Sequence, residues 1–300
     1  MITPVSLKKG DKIGIVAPAR KIKKNEIEPA IKIFESWGLK VELGKNIFTE
    51  DRQFAGTDKQ RAKDLQYMLD NPEIKAIICA RGGYGTIRLL PLLDFATFLK
   101  STKWIVGYSD ITALHVHLNQ NLKVKSIHGI MPINFPKDSF ENESIKTLKQ
   151  ALMGEKNSYQ IKGHRFNKTG KVQGELIGGN LSVLYSIAGT NYDINTEDKI
   201  LVLEDLDEYL YHIDRMMMNL KLGGKLDKLK ALIIGGMSQM NDNQIPFGKS
   251  AYEIVCDVVQ EYSYPVCYDF PLGHIDNNYS IMLGSIAELD VNKKGVRFVN

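Results

Sequence analysis

The chain has 300 residues, of which 43% are hydrophobic and 25% are charged, as expected of a globular protein with one large or two modest domains. Its 39 lysines and arginines and 35 aspartates and glutamates give a formal net charge of +4, spread without a basic block or interleaved aromatics. Nucleic acid is therefore not an expected partner. Because the chain lacks a signal-peptide pattern and an apolar run approaching the ~20 residues of a membrane span, we expect a cytoplasmic protein without membrane contact.

The first half alternates short apolar strands with amphipathic helices. This alternation predicts an open parallel α/β sheet, whose ligand-binding edge lies at the carboxyl ends of the strands. The predicted strands cover residues 12–19, 40–43, 74–80, 104–106 and 126–132, and helical spacing covers residues 26–38 and the stretch that begins at a Thr57 cap.

A glycine-rich loop follows the third strand, with the sequence Arg81-Gly82-Gly83-Tyr84-Gly85. Glycines at such an edge allow the backbone to approach a ligand and direct amide groups at an anion. A nucleotide-binding loop is disfavoured, because the P-loop lysine and hydroxyl residue are missing and the spacing is not G-x-G-x-x-G. The loop is interpreted either as an oxyanion donor or as a turn without a ligand.

The fourth strand leads into a helix through Gly107-Tyr108-Ser109-Asp110. A serine on such a sharp turn is held clear of the sheet, and the amide of Asp110 lies at the positive end of the helix. This geometry suits a nucleophile whose intermediate is an oxyanion. Alternatively, Ser109 or Asp110 only caps the helix, since the motif is not G-x-S-x-G.

Polar composition at 136–171 indicates a crossover, with a short helix at 143–153, between domains at 1–135 and 172–300. The second domain opens with a predicted glycine turn at 174–180. Its other predicted elements are strands at 199–205, 229–236 and 264–270, helices at 210–222 and 251–262, and a terminal hairpin of 286–290 with 296–299.

A serine nucleophile requires a histidine base and a carboxylate that orients it. His274 follows a glycine at a predicted strand end, where catalytic groups are common, although a structural role is the alternative. Glu204 ends another apolar strand beside Asp205, and carboxylates there must be solvated, paired or functional. The poorer candidates are His115 and His117, constrained on the helix after Ser109, and His164 and His212, expected at the surface.

Five ordered motifs resemble those of the LD-carboxypeptidase family of serine peptidases, which includes murein tetrapeptide carboxypeptidases and microcin C immunity peptidases. They span nearly the whole chain, from Gly10 to Asp290. The motifs are Gly107-Tyr108-Ser109-Asp110, Ala80-Arg81-Gly82-Gly83-Tyr84-Gly85, Gly174-x-x-x-Gly178-Gly179-Asn180-Leu181, Leu203-Glu204-Asp205 with Ile213-Asp214-Arg215, and Gly273-His274.

The resemblance implies a catalytic triad of Ser109 as nucleophile, His274 as general base and Glu204 as its orienting carboxylate. It also implies that the backbone N–H groups of Gly83 and Asp110 form the oxyanion hole. Gly82 is the alternative to Gly83. The substrate-binding residues expected from the same motifs are Arg81, Gly82, Tyr84 and Asn180, and neither a metal nor a cofactor is expected.

The implied fold class is α/β, with a flavodoxin-like amino-terminal domain that resembles class I glutamine amidotransferases. A swivelling β/α domain follows, and the site is expected in the cleft between the two. A homodimer is expected because it is typical of the family. In one departure, Met282 stands two residues before Gly284, where the family commonly has a proline. The resemblance therefore does not predict the loop conformation at this position.

The implied activity is removal of the terminal D-alanine from a murein tetrapeptide during cell-wall recycling, through an acyl-enzyme on Ser109. A second possibility within the family is hydrolysis of a peptidyl-nucleotide or acyl-sulfamoyl adenylate. An alternative of another class is a non-catalytic binder, whose glycine loops hold an anionic small molecule while Ser109 donates a hydrogen bond.

Overall fold

The computed structural model describes residues 1–137 and 142–300, and its chain divides into two units. Unit 1 comprises Met1–Glu155 and Tyr279–Met282, and unit 2 comprises Lys156–Asn278 and Leu283–Asn300. The predicted crossover at 136–171 is therefore divided between the two units.

Strands and helices alternate through much of the described chain. The strands are β1 (Lys12–Val16), β2 (Lys40–Leu43), β3 (Ile74–Cys79), β4 (Trp104–Gly107), β5 (Ser126–His128), β6 (Ser158–Ile161), β7 (Gly170–Asn180), β8 (Lys199–Leu206), β9 (Ala231–Ser238), β10 (Val266–Cys267), β11 (Ile281–Leu283), β12 (Ile286–Asn292) and β13 (Gly295–Val299). The α-helices are α1 (Lys24–Ser36), α2 (Asp58–Asp70), α3 (Ala96–Lys100), α4 (Thr112–Val116), α5 (Glu143–Met153), α6 (Leu181–Ile187), α7 (Leu210–Leu222) and α8 (Ala251–Val259).

Unit 1 is built on a sheet with strand order β11-β5-β4-β3-β1-β2. The pairs β1/β2, β1/β3, β3/β4 and β4/β5 are parallel. Without β11, this is the order of flavodoxin-like sheets, in which ligands bind beyond the carboxyl ends of the strands at the point between β1 and β3. The predicted parallel α/β sheet and flavodoxin-like fold are confirmed.

The helices of unit 1 begin and pack as their sequences dictate. Thr57 caps α2 by accepting a hydrogen bond from the N–H of Gln60, whose side chain bonds back to Thr57. This capping box satisfies backbone donors that the first turn leaves without helical acceptors. The apolar face of α1 is buried through Ile27, Ala30, Ile33 and Phe34.

Unit 2 contains a mixed sheet with strand order β10-β9-β8-β7-β12-β13-β6. Strands β7 to β10 pair in parallel, and β12, β13 and β6 extend the sheet in antiparallel fashion. The predicted terminal hairpin is confirmed as β12 and β13, in which Asp290 is paired with Arg297.

Two local predictions in unit 2 are wrong. The stretch 174–180 is part of β7 instead of a turn, because Gly178 and Gly179, at φ of 118° and 140°, remain paired with β8. The predicted strand at 264–270 is reduced to β10. It ends early because the N–H of Tyr268 donates to the Asn167 side chain and Asp269 adopts a φ of 56°.

Among the described residues, no helix is both long and apolar enough to cross a membrane.

Candidate active site

Ser109 occupies the turn between β4 and a helical segment. Tyr108 before it is extended, with φ of −150°, whereas Ser109 has a φ of 63°. Residues other than glycine rarely adopt this left-handed conformation, and such strain is common where a side chain must be presented for chemistry. A short 3-10 helix, Ser109–Ile111, then leads into α4. The predicted strand, turn and helix are present, in the arrangement of a nucleophile elbow.

Gly107 and His115 stabilise the conformation of this turn. A Cβ atom at Gly107 would lie 2.8 Å from Cγ1 of Ile111, so only glycine lets the helix pack so closely on the strand end. The Nε2 atom of buried His115 lies 2.9 Å from the Gly107 carbonyl oxygen, to which it must donate. Burial lowers the pKa of His115 to about 4, against a smaller opposing effect of this hydrogen bond. His115 is thus a neutral support for the turn.

The glycine loop passes directly beside Ser109. A Cβ atom at Gly82 would lie 3.0 Å from Cβ and 3.1 Å from Oγ of Ser109. Gly83 has a φ of 110°, and its Cβ would lie 2.6 Å from Cγ of Arg20. No side chain fits at either position without displacing a neighbour, so the loop presents only backbone to Ser109.

The side chain of Asp110 joins the serine turn to the glycine loop. Its Oδ2 atom accepts a hydrogen bond of 2.7 Å from the backbone N–H of Thr86. Burial raises the pKa of Asp110, and the Thr86 hydrogen bonds and the nearby charges of Arg61 and Arg20 oppose this rise. The backbone N–H of Asp110 lies in the first turn of the helical segment, where such groups have no intrahelical acceptor.

A second anchor of the loop, Arg61, was missed by the sequence analysis. Its side chain is almost fully buried and its Nη1 atom donates to the carbonyl oxygens of Gly85, at 3.0 Å, and Pro18. The available signal was its position on the apolar face of α2, at helical spacing before Leu65 and Met68.

Unit 2 holds a buried pair formed by Glu204 of β8 and His274. The Nδ1 atom of His274 lies 2.7 Å from Oε2 of Glu204, whose side chain is fully buried, whereas that of His274 is 15% exposed. Burial lowers the pKa of His274, but the charge and hydrogen bond of Glu204 and the charge of Asp205 together raise it above its ordinary value. With Nδ1–H held by a carboxylate, Nε2 is the basic atom of the ring.

Glycines permit the close approach of the His274 loop to β8. Gly273 has a φ of 96°, and a Cβ atom there would lie 2.7 Å from both Cβ and Cγ of Glu204. Gly236 of β9 donates its N–H to the carbonyl oxygen of Leu272 at 2.9 Å. Because β10 is short, His274 lies on this loop and not at a strand end as predicted.

Asp205 and Asn180 form a separate polar group beside the pair. Asn180 Nδ2 donates to Asp205 at 2.9 Å, and Asn180 Oδ1 caps α6 by accepting from the N–H of Val183. Burial and the charge of Glu204 raise the pKa of Asp205 to about 7, against hydrogen bonds from Leu206, Asn180 and Ser182. These contacts give the Asn180 side chain a structural role. The substrate role expected of Asn180 stays a prediction.

The remaining predicted binding residues lie on the glycine loop. Arg81 Nη1 is 3.3 Å from the carbonyl oxygen of Lys21. Tyr84 is 46% exposed and its ring contacts that of Phe54. Met282 lies within β11, where a proline would lack the N–H for strand pairing.

The expected surface positions of His164 and His212 are wrong in part. Both side chains are partly buried. His164 packs against the rings of Phe166 and Tyr252, and His212 Nδ1 lies 2.6 Å from Oε2 of Glu208. Residues 1–137 and 142–300 contain no group of three or more His, Cys, Asp or Glu residues arranged to hold a metal ion.

Unit 1 thus holds a strained serine beside a glycine loop, and unit 2 holds a buried carboxylate bonded to a histidine; serine hydrolases contain groups of both kinds. The chain belongs to the LD-carboxypeptidase family. The family model for the LD-carboxypeptidase N-terminal domain matches residues 13–129, and that for the LD-carboxypeptidase C-terminal domain matches residues 173–289. The resemblance seen in the sequence motifs is confirmed, and family membership supports a carboxypeptidase hydrolase.

Two relatives and one solved structure match this chain over almost their full length. The probable murein peptide carboxypeptidase of Bacillus subtilis (strain 168) is 33% identical over 97% of this chain and 92% of its own. The microcin C7 self-immunity protein MccF of Escherichia coli is 27% identical over 96% of this chain and 92% of its own. The crystal structure of muramoyltetrapeptide carboxypeptidase from Oxalobacter formigenes has a TM-score of 0.87 and 28% identity, covering 96% of this chain and 98% of that one.

Proposed function

We propose that this protein is a serine carboxypeptidase that cleaves the L,D-peptide bond before the terminal D-alanine of a murein tetrapeptide. Family membership and full-length likeness to the Bacillus subtilis relative support the substrate class. The observation that carries the mechanism is the contact of 2.7 Å between His274 Nδ1 and the buried Glu204 carboxylate.

In the proposed reaction, Ser109 Oγ attacks the scissile carbonyl carbon while His274 Nε2 takes the hydroxyl proton. The N–H groups of Gly83 and Asp110 stabilise the oxyanion, with Gly82 as the alternative donor. His274 then gives its proton to the leaving amine, and D-alanine departs. Water, deprotonated by the same ring, hydrolyses the acyl-enzyme and regenerates Ser109.

The test of this triad is a mutant cycle on a peptide that ends in L-Lys-D-Ala. Ser109→Ala and His274→Ala should each lower kcat by roughly 10⁴-fold or more, and the double variant should be no slower than the slower single variant. Circular dichroism at about 25 °C should show native secondary structure in each variant, although His274→Ala should unfold at lower temperature because it leaves the buried Glu204 carboxylate without its partner. Losses that multiply in the double variant would contradict a shared catalytic unit.

Substrate stereochemistry tests the activity itself. A site that binds one epimer leaves polar groups unpaired with the other, so the L-Lys-L-Ala peptide should react roughly 100-fold more slowly or worse. Equal rates on the two epimers would overturn the L,D-carboxypeptidase proposal.

The likeness to the microcin C7 self-immunity protein favours a second candidate, hydrolysis of a peptidyl-nucleotide or acyl-sulfamoyl adenylate. A higher kcat/KM on such a conjugate than on L-Lys-D-Ala would select it. The binder alternative predicts that a fluorophosphonate leaves Ser109 unlabelled, since only an activated serine reacts readily.

We also propose that the protein is cytoplasmic and forms a homodimer, as the family resemblance implies. Cell fractionation tests the location. Sedimentation equilibrium tests the assembly, and a mass equal to that of one chain at micromolar concentration would contradict the dimer.

A further inference from the structure

Arg20 is an exposed residue whose side chain lies against Gly83 of the glycine loop in unit 1. Among the described residues, no carboxylate forms an ion pair with it. The neighbouring cations are engaged: Lys21 pairs with Glu50 at 2.6 Å, and Arg61 and Arg88 both pair with Asp58. Arg20 is therefore a cation beside the glycine loop that forms no ion pair, although its charge acts at longer range on the Asp110 carboxylate.

The backbone on both sides of Arg20 is fixed. Ala19 accepts a hydrogen bond from the N–H of Ala55 at 3.1 Å, and the N–H of Lys21 donates to Gln53 at 2.9 Å. The N–H of Arg20 itself donates to the carbonyl oxygen of Gly82 at 3.4 Å. The backbone at Arg20 therefore needs no reordering when the side chain binds a ligand.

The strand order places Arg20 at the same edge of the sheet as the glycine loop and Ser109. Strands β1, β3 and β4 are neighbours, and their carboxyl ends lead to Arg20, the glycine loop and Ser109 respectively. Gly82 is the glycine beside Ser109, and a Cβ at Gly83 would lie 2.8 Å from Nε of Arg20. The junction of β1 and β3 is where flavodoxin-like sheets bind their ligands.

We propose that Arg20 binds the free carboxylate of the leaving residue and thereby restricts cleavage to the last bond of the peptide. The proposal rests on the proposed function. In a peptide whose scissile carbonyl lies at the Gly83 N–H, only the nitrogen and Cα of the leaving residue separate that carbonyl from the terminal carboxylate. The carboxylate then lies beside the glycine loop, against which the Arg20 side chain packs. A guanidinium matches it with paired N–H donors.

Arg81, one of the substrate-binding residues expected from the family motifs, is the rival for this role. Its Nη1 atom already contacts the carbonyl oxygen of Lys21. The structure thus favours Arg20, which has no such contact, over Arg81.

The test compares kcat/KM for one L,D-peptide as its free acid and as its carboxyl-terminal amide. Wild-type enzyme should prefer the acid. In Arg20→Gln, the rate on the acid should fall by roughly 10- to 100-fold, the range for a lost charge-assisted hydrogen bond, while the rate on the amide is unchanged. Arg20→Lys should recover part of the preference, because the charge remains but the paired donors do not.

Lys21→Gln is the matched control, because it removes a neighbouring exposed cation whose partner is Glu50. Its preference for the acid should equal that of wild type. Equal losses on acid and amide in Arg20→Gln would overturn the proposal and assign Arg20 to support of the glycine loop. A preference lost in Arg81→Gln but kept in Arg20→Gln would assign the carboxylate to Arg81.

The same experiment separates this proposal from the function on which it rests. If wild-type enzyme hydrolyses the acid but Arg20→Gln keeps the full acid preference, only the role of Arg20 is wrong. If wild-type enzyme hydrolyses neither peptide, the carboxypeptidase proposal fails, and the role of Arg20 fails with it.

Discussion

Ser109 lies so close to Gly82 that one added methyl group tests whether the position of the Ser109 hydroxyl matters. In Gly82→Ala, the new Cβ would lie 3.1 Å from Ser109 Oγ, which is tighter than ordinary contact, and the hydroxyl must shift. A small displacement of a nucleophile can cost on the order of 100-fold in rate, so we expect such a fall in kcat/KM and slower fluorophosphonate labelling.

Gly163→Ala is the control for this change, because a Cβ there meets nothing nearer than 3.6 Å. It should leave kcat/KM unaltered. Full activity in Gly82→Ala would show that the position of the Ser109 hydroxyl is not critical.

The titration of His274 sets the expected pH dependence. In the proposed reaction only the neutral ring can accept the serine proton, so kcat/KM should rise with pH, through an apparent pKa above the ordinary ~6.5 because Glu204 raises it. In Glu204→Gln, the charge is removed while burial remains, so the apparent pKa should move down and the plateau rate should fall.

Glu208→Gln provides the matched control for the pH profile. Glu208 holds His212 with the same Nδ1–Oε2 geometry, at 2.6 Å, but has no proposed role in the reaction. Its profile should be that of wild type. A wild-type profile that is flat between about pH 5 and 8 would rule out His274 as the base.

Among structural elements, the contact between the serine turn and the glycine loop depends on one carboxylate. Asp110→Ala leaves the buried N–H of Thr86 without its acceptor, which should lower the unfolding free energy of unit 1 by about 1–3 kcal/mol and also reduce kcat. Asp110→Asn keeps an acceptor oxygen and should retain most of both. Urea unfolding followed by tryptophan fluorescence measures this, since Trp37 and Trp104, the only tryptophans, both lie in unit 1.

Equal stabilities of the alanine and asparagine variants would contradict this role for the Asp110 side chain.

The loop that carries His274 depends on glycine in a similar way. Gly273→Ala places a methyl group within 2.7 Å of Glu204 Cγ at a φ of 96°, so it should separate His274 from Glu204 and lower kcat/KM by roughly 100-fold or more. Gly248→Ala is the control, because Gly248 has a comparable φ of 83° with open space around it. Similar losses in the two variants would show that backbone strain, and not the contact with Glu204, is responsible.

Local sequence signals were sufficient to predict those elements whose pattern is contained in one segment of the chain. The continuous apolar runs of β3 and β4 and the capped helix α2 were predicted from spacing and cap residues. The extent of β7 was not predicted, because two adjacent glycines indicate a turn when their pairing with β8 is unknown. Arg20 was missed for the same reason: its nearness to Gly83 arises from the pairing of β1 with β3 and leaves no mark in either segment.

Across the whole molecule, the two sheets do not correspond to two continuous halves of the sequence. After building β10 of the second sheet, the chain returns to unit 1 and adds β11 beside β5. The N–H of Ser280 donates to Thr147 Oγ1 at 3.0 Å, and Ile281 is 1% exposed. A three-residue strand has no periodicity to detect, so the predicted division at 136–171 did not include this late contribution to the first sheet.

The contribution of β11 can be measured by removing it. A fragment of residues 1–155 lacks Ile281, whose burial stabilises by roughly 1.5–3 kcal/mol, a large share of the ~5–15 kcal/mol typical of a domain. It also exposes the edge of β5, and unpaired edges promote association. Tryptophan fluorescence should therefore report a lower urea midpoint than in the full chain, and sedimentation should show concentration-dependent association. Fusing residues 279–283 to the fragment through a glycine-serine linker should reverse both effects, whereas the same fusion with Ile281→Asp should not. A fragment that stays monomeric with the midpoint of the full chain would show that unit 1 is complete without β11.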